Sequence, residues 1–410
     1  MKVEFLKADT LEKAREKILE HGVKLVKTEA RPLREALGKT LAEDIAAPCH
    51  IPYFRRSTVD GYAVLAGDTG AAGESIPTFL TRRGGVEMGA LISERLQSGM
   101  CMEIPTGGMV PEGADGVVMV EYTEPFGPDG VAVYQSVAVG ENIVQIGDDV
   151  KAGAHVLGRG RRITPQDIGA LAAMGITQVP VYAAPKVTIF STGDEVVPPE
   201  AAAAHGKVRD INTHALAALA KTVDFSVIHQ EILPDMEAVL EEKLRQAMEH
   251  SDIVLLSGGS SRGGKDKSFE VIDRVAKPGA FTRGLAIKPG KPTILGYDGP
   301  SNTLFAGLPG HPVAAVLVFE LLFGWLQRKL RNTASPPPIP GVLTCNVPGG
   351  QGKLVCHLCK IRWTGEGYGV DPIFSKSGLI TSLVAADGYF LIDRDTEGLN
   401  QGQRVLVHLF

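Results

Sequence analysis

The strongest constraint on the fold is an alternation of apolar strand patterns with helix patterns after residue 185. The runs 186–191 (KVTIFS) and 252–257 (DIVLLS) are apolar along most of their length, which indicates strands buried on both faces. In chain order, the sequence predicts strands at 186–191, 225–232, 252–257, 293–295 and 303–306, and helices at 213–222, at 236–250, from about 267, and at 312–330. Asp235 is placed to cap the helix at 236–250. This alternation predicts a doubly wound, mostly parallel α/β sheet whose ligands gather at the carboxyl ends of the strands.

The rest of the chain carries different patterns. Residues 74–157 combine short valine-rich runs with glycine and proline, which predicts a β-rich module. The run 335–341 (SPPPIPG) predicts a stiff linker, and the residues from 342 to 410 are typical of a small all-β domain. Helix signals occur at 10–22, at 32–37, and from a cap at Thr164, Pro165 and Asp167 to Gly175. We therefore expect several domains, in line with roughly 100–200 residues for each.

The composition of the chain excludes several classes of function. The 410 residues include 42 Lys and Arg against 47 Asp and Glu, so a polyanion-binding surface is not expected and nucleic acid is excluded as a partner. No apolar run approaches the ~20 residues needed to span a bilayer, and the first residues lack the apolar core of a signal peptide. We expect a cytoplasmic protein without membrane association. Cys356 and Cys359 form a CxxC pair without a second pair, on a strand-like pattern, which favours free thiols over zinc.

The glycine-rich segment 257–266 (SGGSSRGGKD) directly follows a predicted buried strand and precedes a predicted helix. Glycines let backbone N–H groups approach an anion, and the helix start adds a positive dipole, so phosphate binding is favoured over a flexible turn. The segment matches GxxxxGK up to Lys265, but Asp266 replaces the hydroxyl residue that holds Mg²⁺ in P-loop enzymes. A GxSxG pattern places Ser261 several residues beyond the strand, where no nucleophile elbow is expected. Both a P-loop NTPase and a serine hydrolase are therefore disfavoured.

The same region contains three more polar loops: 191–195 (STGDE), 287–292 (IKPGKP) and 307–312 (GLPGHP). The adjacent carboxylates of the first loop can hold Mg²⁺ through oxygen, although this loop taken alone favours a capped turn. The two lysines of the second loop suit an anion. The third loop leads into a helix, whose free N–H groups can also meet an anion. Two further loops, 56–63 and 105–115, are dense in turn formers and polar groups.

Taken together and in this order, these loops resemble those of one family, the molybdopterin molybdenumtransferases, or molybdenum insertases, which also form the C-terminal part of gephyrin. The resemblance covers essentially the whole chain. The motifs that carry it are PLREALGKTLAEDIAAP (32–48), RSTVDGYAV (56–64), PTGGMVPEGADGVVMVE (105–121), GENIVQIGDDV (140–150), STGDEVV (191–197), SGGSSRGGKD (257–266), IKPGKP (287–292) and GLPGHPVAA (307–315).

The resemblance implies four domains. They are an elongated first domain (1–46 and 140–182), a β-rich domain inserted into it (47–139), an α/β domain that binds the pterin phosphate (183–332), and a C-terminal β domain (333–410). The discontinuity of the first domain comes from the resemblance alone and not from composition or periodicity.

The resemblance also implies a reaction. Adenylylated molybdopterin and molybdate enter, the phosphoanhydride is cleaved, AMP leaves, and molybdenum remains on the dithiolene sulfurs, with Mg²⁺ assisting. The positions implied as catalytic and as Mg²⁺ ligands are Asp60, Glu195, Asp235 and Asp266. The positions implied in substrate binding are Thr106, Ser257, Gly258, Gly259, Ser261, Arg262, Gly263, Lys288, Lys291, Pro309, His311 and Pro312.

As partners, the resemblance implies a homodimer with a shared active site, in which the segment around Asp60 faces the α/β domain of the other subunit. The molybdopterin adenylyltransferase and recipient molybdoenzymes are candidate protein partners. The chain departs from the family's usual residues at Val59 (usually Met), Ser260 (usually small and apolar) and His311 (usually Asn). The alternative function is a catalytically weak paralogue or scaffold that binds molybdopterin or partner proteins, but the retained carboxylates and lysines favour the enzyme.

Overall fold

The computed structural model describes residues 8–202, 204–258 and 267–410. In its first 182 residues the helices are α1 (Leu11–Gly22) and α2 (Pro165–Ala173), with 3-10 turns at Val23–Leu25, Leu33–Glu35, Ala66–Thr69 and Val120–Tyr122. The strands of this region are β1 (Thr28–Pro32), β2 (Ile45–Ala46), β3 (Arg56–Ser57), β4 (Gly61–Val64), β5 (Thr78–Gly85), β6 (Met100–Ile104), β7 (Gly116–Met119), β8 (Thr123–Phe126), β9 (Gly130–Val133), β10 (Ile143–Val144), β11 (His155–Leu157) and β12 (Gln178–Tyr182).

The segments that come before and after an inserted sheet in the chain pair with each other. Strand β1 pairs with β12, β2 with β11 and β3 with β10, and each pair is antiparallel. Between these segments, six strands form a sheet in the order β7-β4-β6-β5-β9-β8. The chain therefore leaves one layer, builds a separate sheet and returns. The boundaries at 46/47 and 139/140 given by the family resemblance stay a prediction.

Two helix predictions in this region had different outcomes. The cap at Thr164 is confirmed, because its hydroxyl accepts from the Asp167 N–H at 3.3 Å and the Asp167 carboxylate accepts from the Thr164 N–H at 2.9 Å. The helix predicted at 32–37 is wrong. Pro32 ends β1, whose residues are held in register with β12, and only a 3-10 turn follows.

The α/β region contains five helices among its described residues: α3 (Asn212–Thr222), α4 (Glu237–Met248), α5 (Lys267–Val275), α6 (Pro312–Phe319) and α7 (Trp325–Leu330), with a π-helical segment, Glu320–Gly324, between the last two. Its strands are β13 (Lys186–Thr192), β14 (Val196–Val197), β15 (Val208–Arg209), β16 (Ser226–Leu233), β17 (Ile253–Gly258), β18 (Pro278–Arg283), β19 (Ile287–Lys288), β20 (Ile294–Asp298) and β21 (Thr303–Leu308).

The predicted fold class is confirmed in this region. A six-stranded sheet has the order β16-β13-β17-β21-β20-β18, in which the first four strands are parallel and β20 pairs antiparallel with both β21 and β18. Alternate strand residues pack on opposite faces: Val187 and Ile189 contact the core under α3 and α6, whereas Phe190 contacts the core under α4 and α5. Strand β18 was not predicted, because Pro278 opens it at the sheet edge, where proline obscures a strand pattern.

The C-terminal region folds into a small β domain, as predicted, and the structure shows that this domain is a barrel. Its elements are β22 (Ile339–Leu343), β23 (Val347–Pro348), β24 (Leu354–Trp363), β25 (Tyr368–Pro372), α8 (Thr381–Ala385), β26 (Gly388–Ile392), β27 (Gly398–Leu399) and β28 (Arg404–Leu409). Its main sheet has the order β19-β24-β25-β22-β28-β26, and pairing of β24 with β26 closes it. Strand β19 belongs to this sheet although it precedes the linker by about 50 residues, since Lys288 lies opposite Val355. Cys356 and Cys359 lie buried in β24.

Across the described ranges, none of the helices combines the length and the apolar character required to cross a membrane.

Candidate active site

A cleft of about 960 Å³ lies between the carboxyl ends of the parallel strands and the C-terminal barrel. The sequence-predicted residues that line it are Glu195, Asp235, Gly258, Lys288, Lys291, Pro309 and His311. The barrel contributes residues that the sequence did not single out, namely Lys353, Val355, Cys356, His357, Leu358, Ile373, Ser375, Lys376 and Ser377. A volume of this size is at the upper end of those typical for small-molecule sites.

Lysine side chains dominate the charge of the cleft. Lys288 and Lys291 come from the predicted loop, and Lys353 and Lys376 come from the barrel. All four are exposed, and no ion pair joins them to a carboxylate in the part of the chain that the structure describes. Only two of the described lining residues are carboxylates, so this part of the cleft has an excess of positive charge and suits a ligand with several negative charges.

The two lining carboxylates belong to loops that are bonded to each other. The backbone N–H of Asp235 donates to a carboxylate oxygen of Asp194 at 3.1 Å. The Glu195 carboxylate lies over Gly193, where a Cβ would be 2.8 Å from Glu195 Oε1, so a side chain at 193 would require this carboxylate to move. The Asp235 carboxylate lies 3.8 Å from Lys267 Nζ.

Asp235 is not the helix cap that the sequence predicted. Helix α4 begins at Glu237, and its cap residue is Met236, without a side-chain hydrogen bond. The Asp235 N–H is taken up by the neighbouring loop, and its carboxylate faces Lys267 and the cleft. The acid is therefore available to a ligand and not engaged in capping its own helix.

The residues before the glycine-rich segment allow close approach to their backbone. Ser257 is buried, and its hydroxyl accepts from Asn212 Nδ2 at 2.7 Å. Gly258 has a φ of 109°, and a Cβ there would lie 2.3 Å from the Thr192 carbonyl oxygen, so no other residue fits. The remaining predicted positions of this loop lie outside the described residues: Gly259, Ser261, Arg262, Gly263 and Asp266.

His311 connects the α/β region to the barrel. Its Nδ1 lies 2.7 Å from Ser377 Oγ, and the Ser377 carbonyl accepts from the Val313 N–H at 3.2 Å. Pro309 is buried at the wall of the cleft, while Pro312 is buried as the first residue of α6 and does not line it. A barrel segment therefore covers the start of this helix.

Asp60 and Thr106 form a separate pair in the inserted sheet region. The Thr106 N–H and hydroxyl donate to Asp60 Oδ1 at 2.6 and 2.9 Å, and these bonds hold the pKa of the Asp60 carboxyl below its usual value. Both residues are exposed, and neither lines the cleft. Within one chain, the structure does not bring Asp60 together with Glu195 and Asp235.

Two buried polar atoms near the cleft have no hydrogen-bond partner among the described residues. They are Thr192 Oγ1 and Asn212 Oδ1, on side chains that are only 6% and 8% exposed. Thr192 lines the cleft. Because a buried polar group without a partner is costly, such atoms next to a cleft point to a partner supplied by a ligand or by closure of the site.

His357 is a neutral, oriented imidazole in the same cleft. Burial, with Lys288 nearby, lowers its pKa below the usual 6.5, against the opposing effect of the Pro348 carbonyl. The ring stacks on Phe390 with centroids 5.5 Å apart, and its Nε2 lies 3.2 Å from the Pro348 oxygen.

Sequence reasoning missed the barrel residues because nothing in the surrounding sequence marks them. Lys353 stands beside an ordinary strand, and only the run 375–377 (SKS) offers a weak local signal. In the described ranges, no group of three or more His, Cys, Asp or Glu side chains is placed to hold a metal ion.

A parallel sheet whose carboxyl ends carry a cationic cleft, closed by a β barrel, defines a class of α/β protein suited to an extended anionic ligand. Residues 9–175 match the family model described as the MoeA N-terminal region (domain I and II), residues 188–328 the "Probable molybdopterin binding domain", and residues 340–410 the MoeA C-terminal region (domain IV).

Full-length relatives agree with these matches. A molybdopterin molybdenumtransferase from Haemophilus influenzae is 32% identical over 407 residues, covering 98% of each chain. One from Bacillus subtilis is 30% identical over 399 residues, covering 95% of this chain and 91% of the relative. A crystal structure of the molybdopterin biosynthesis MoeA protein from Pyrococcus horikoshii has a TM-score of 0.85 at 32% identity and covers 98% of this chain and 99% of that one. The chain belongs to the MoeA family of molybdopterin molybdenumtransferases, which confirms the resemblance seen in its loops.

Proposed function

We propose that this protein inserts molybdenum from molybdate into adenylylated molybdopterin, releasing AMP and giving molybdenum cofactor. Membership of the MoeA family supports a role in molybdenum cofactor biosynthesis. The observation that carries the finer proposal is the cleft itself, in which four lysines face two carboxylates at the ends of the parallel strands. Both proposed substrates are anions, and the phosphoanhydride adds further charge.

The lysines are assigned to charge neutralisation. Lys288 and Lys291 hold phosphate groups at the sheet ends, and Lys353 and Lys376 meet negative charge from the barrel side. Cleavage of a phosphoanhydride relies on positioning and on neutralising the charge of the leaving group, and it needs no covalent nucleophile. The exposed ammonium groups can follow a ligand as it enters, while Ser257, which is buried near the end of β17 and bonded to Asn212, keeps the binding surface rigid.

Glu195 and Asp235 are the described residues that fit a Mg²⁺ ion. Mg²⁺ binds in such sites through one or two carboxylates together with substrate phosphates, so a ready-made cage of three ligands is not required. Glu195 fits because its carboxylate is exposed and lines the cleft. Asp266, and Asp60 of the partner subunit, complete the proposed set. A bound cation would offset the repulsion between these carboxylates and an anionic substrate.

Asp60 motivates a shared site. It lies with Thr106 in the inserted region and away from the cleft of its own chain. In a two-fold homodimer, each such segment can face the cleft of the other subunit. Variants Asp60→Ala and Asp266→Ala, each inactive alone, should then regain some activity when refolded together, because one site of the mixed dimer carries neither change. No recovery, with mixed dimers confirmed by mass, would refute the shared site.

The direct test of the activity is incubation with adenylylated molybdopterin, Mg²⁺ and molybdate while AMP release is followed. Molybdate-dependent AMP release would support the enzyme. Tight binding of molybdopterin without AMP release would instead support the scaffold. Omitting Mg²⁺ should lower the rate if the carboxylates act as assigned.

A further inference from the structure

The first residue of helix α3, Asn212, connects two of the loops that wall the cleft. Its Nδ2 donates both to Ser257 Oγ at 2.7 Å and to the Gly310 carbonyl at 2.8 Å. Ser257 lies at the end of β17, and Gly310 lies between β21 and α6. One side-chain amide therefore holds the ends of two adjacent parallel strands together.

The start of α3 is itself tied to a third strand. The carboxylate of Asp210 accepts from Ser191 Oγ at 2.9 Å and from the Thr213 N–H at 3.1 Å, and the Thr213 hydroxyl donates to Ser191 Oγ at 2.9 Å. Ser191 belongs to β13, which leads into the loop with Glu195. Through its helix, Asn212 thus links the loops that follow β13, β17 and β21.

The chemistry of asparagine suits this position. Two partners need two N–H donors on one planar group, which an amide provides and a carboxylate or hydroxyl does not. The two loops that Asn212 joins lie close together, because a Cβ added at Gly310 would be 3.6 Å from the Gly258 Cα. Asn212 is 8% exposed, so water competes little for these bonds.

We propose that Asn212 is a positioning residue that sets the spacing of the ligand-binding loops at Gly258 and at 309–311. The Nδ2 group of this side chain acts on the site through Ser257 and Gly310. The consequence for substrate rests on the proposed function, whereas the consequence for loop order does not.

Hydrogen exchange in the free protein tests the role of Asn212 without any assumption about activity. In Asn212→Ala, amide hydrogen exchange in peptides covering 254–258 and 307–311 should be faster by about tenfold, because a lost hydrogen bond is worth roughly a factor of two to ten in local opening. Asn212→Asp keeps the shape and Oδ1 but removes both donors, so it cannot bond the Gly310 carbonyl, and exchange in the peptide covering 307–311 should again be faster. Asn302→Ala is the matched control, since this amide donates to the Lys24 carbonyl at 2.9 Å and accepts from Tyr297, away from the cleft.

Binding is measured with AMP as the probe and turnover with adenylylated molybdopterin. Asn212→Ala should weaken AMP binding by about five- to tenfold and raise KM more than it lowers kcat, since displaced loops bind less well. In the free protein, adding Ser257→Ala to Asn212→Ala should change amide exchange little, because the bond they share is already lost. If Asn212→Ala fails to fold, Ser257→Ala alone, which removes one of the two bonds, carries the test.

The proposal is overturned if Asn212→Ala and Asn302→Ala leave exchange in the two loops equally unchanged, or if Ser257→Ala and Asn212→Ala have fully additive effects. Failure of the wild-type protein to bind AMP or to turn over would count against the proposed function, while the exchange comparison would still decide the role of Asn212.

Discussion

Replacing Thr192 with valine tests whether a buried hydroxyl at the cleft is reserved for a ligand. Thr192 ends β13, is 6% exposed, and its Oγ1 has no partner among the described residues. Leaving a buried polar group unpaired costs roughly 1–3 kcal/mol, and valine has the same shape without that group. We therefore expect Thr192→Val to raise the free energy of unfolding of the α/β domain by about 1 kcal/mol.

For a domain of this size, that gain corresponds to an increase of about 2–4 °C in the thermal midpoint, which differential scanning calorimetry can measure. The affinity for the ligand should decrease although the stability increases. If the hydroxyl gains its partner when the ligand binds, valine should weaken the affinity for adenylylated molybdopterin by about tenfold, or about 1.4 kcal/mol. A more stable protein that binds substrate less well is an unusual combination and is the signature of this hypothesis.

Thr188→Val is the matched control on the same strand. Thr188 is 2% exposed, but its hydroxyl lies 2.8 Å from Ser251 Oγ. Valine at 188 should therefore lower the thermal midpoint and leave substrate affinity unchanged. The reasoning is refuted if Thr192→Val lowers the midpoint as much as Thr188→Val does, or if it stabilises the protein without any loss of affinity.

Three other predictions follow from the charges of the cleft. Changing Lys288 and Lys291 together to alanine should weaken binding of the adenylylated pterin most at low salt, where charge-assisted contacts are least screened, and unchanged affinity at low salt would contradict their assignment. Glu195→Gln should fold normally, because the carboxylate is exposed, and should suppress molybdate-dependent AMP release, so wild-type turnover would remove Glu195 from the site. The pKa of His357 is lower in the folded protein than in the unfolded chain. As the pH falls below about 6.5, the unfolded chain therefore binds more protons than the folded protein, and the free energy of unfolding declines. His357→Gln should make this decline of the thermal midpoint shallower, and an identical pH dependence in both proteins would exclude His357 as its cause.

The sequence predicted the structure correctly where the residues that determine a feature lie within one short segment. The runs 186–191 and 252–257 predicted buried parallel strands because burial on both faces leaves no room for polar alternation. The Thr164 cap was recognisable because both of its hydrogen bonds are made within four residues. Lys288 was predicted as an anion ligand from its own loop, and it does line the cleft.

The sequence was uninformative wherever function depends on packing between distant segments. Lys353 lines the cleft only because the barrel packs against the sheet ends, and its neighbours in sequence carry no sign of this. Asn212 looks like an ordinary helix start until Ser257 and Gly310 are seen beside it. Asp235 was misread as a cap because a local rule favoured it, while a contact with Asp194 prevailed in the folded chain.

The pairing of β19 with β24 has a consequence for any attempt to divide the protein. Lys288 lies next to Val355 in a shared sheet, and the Leu354 N–H donates to the Ala286 carbonyl at 2.9 Å. A fragment cut at the proline-rich segment 335–341 would keep Lys288 in its sequence and lose the strand that orients it. The α/β region alone is therefore not a minimal unit for anion binding. A hinge motion of the barrel would move one wall of the cleft, together with Lys288, away from the carboxylates on the opposite wall.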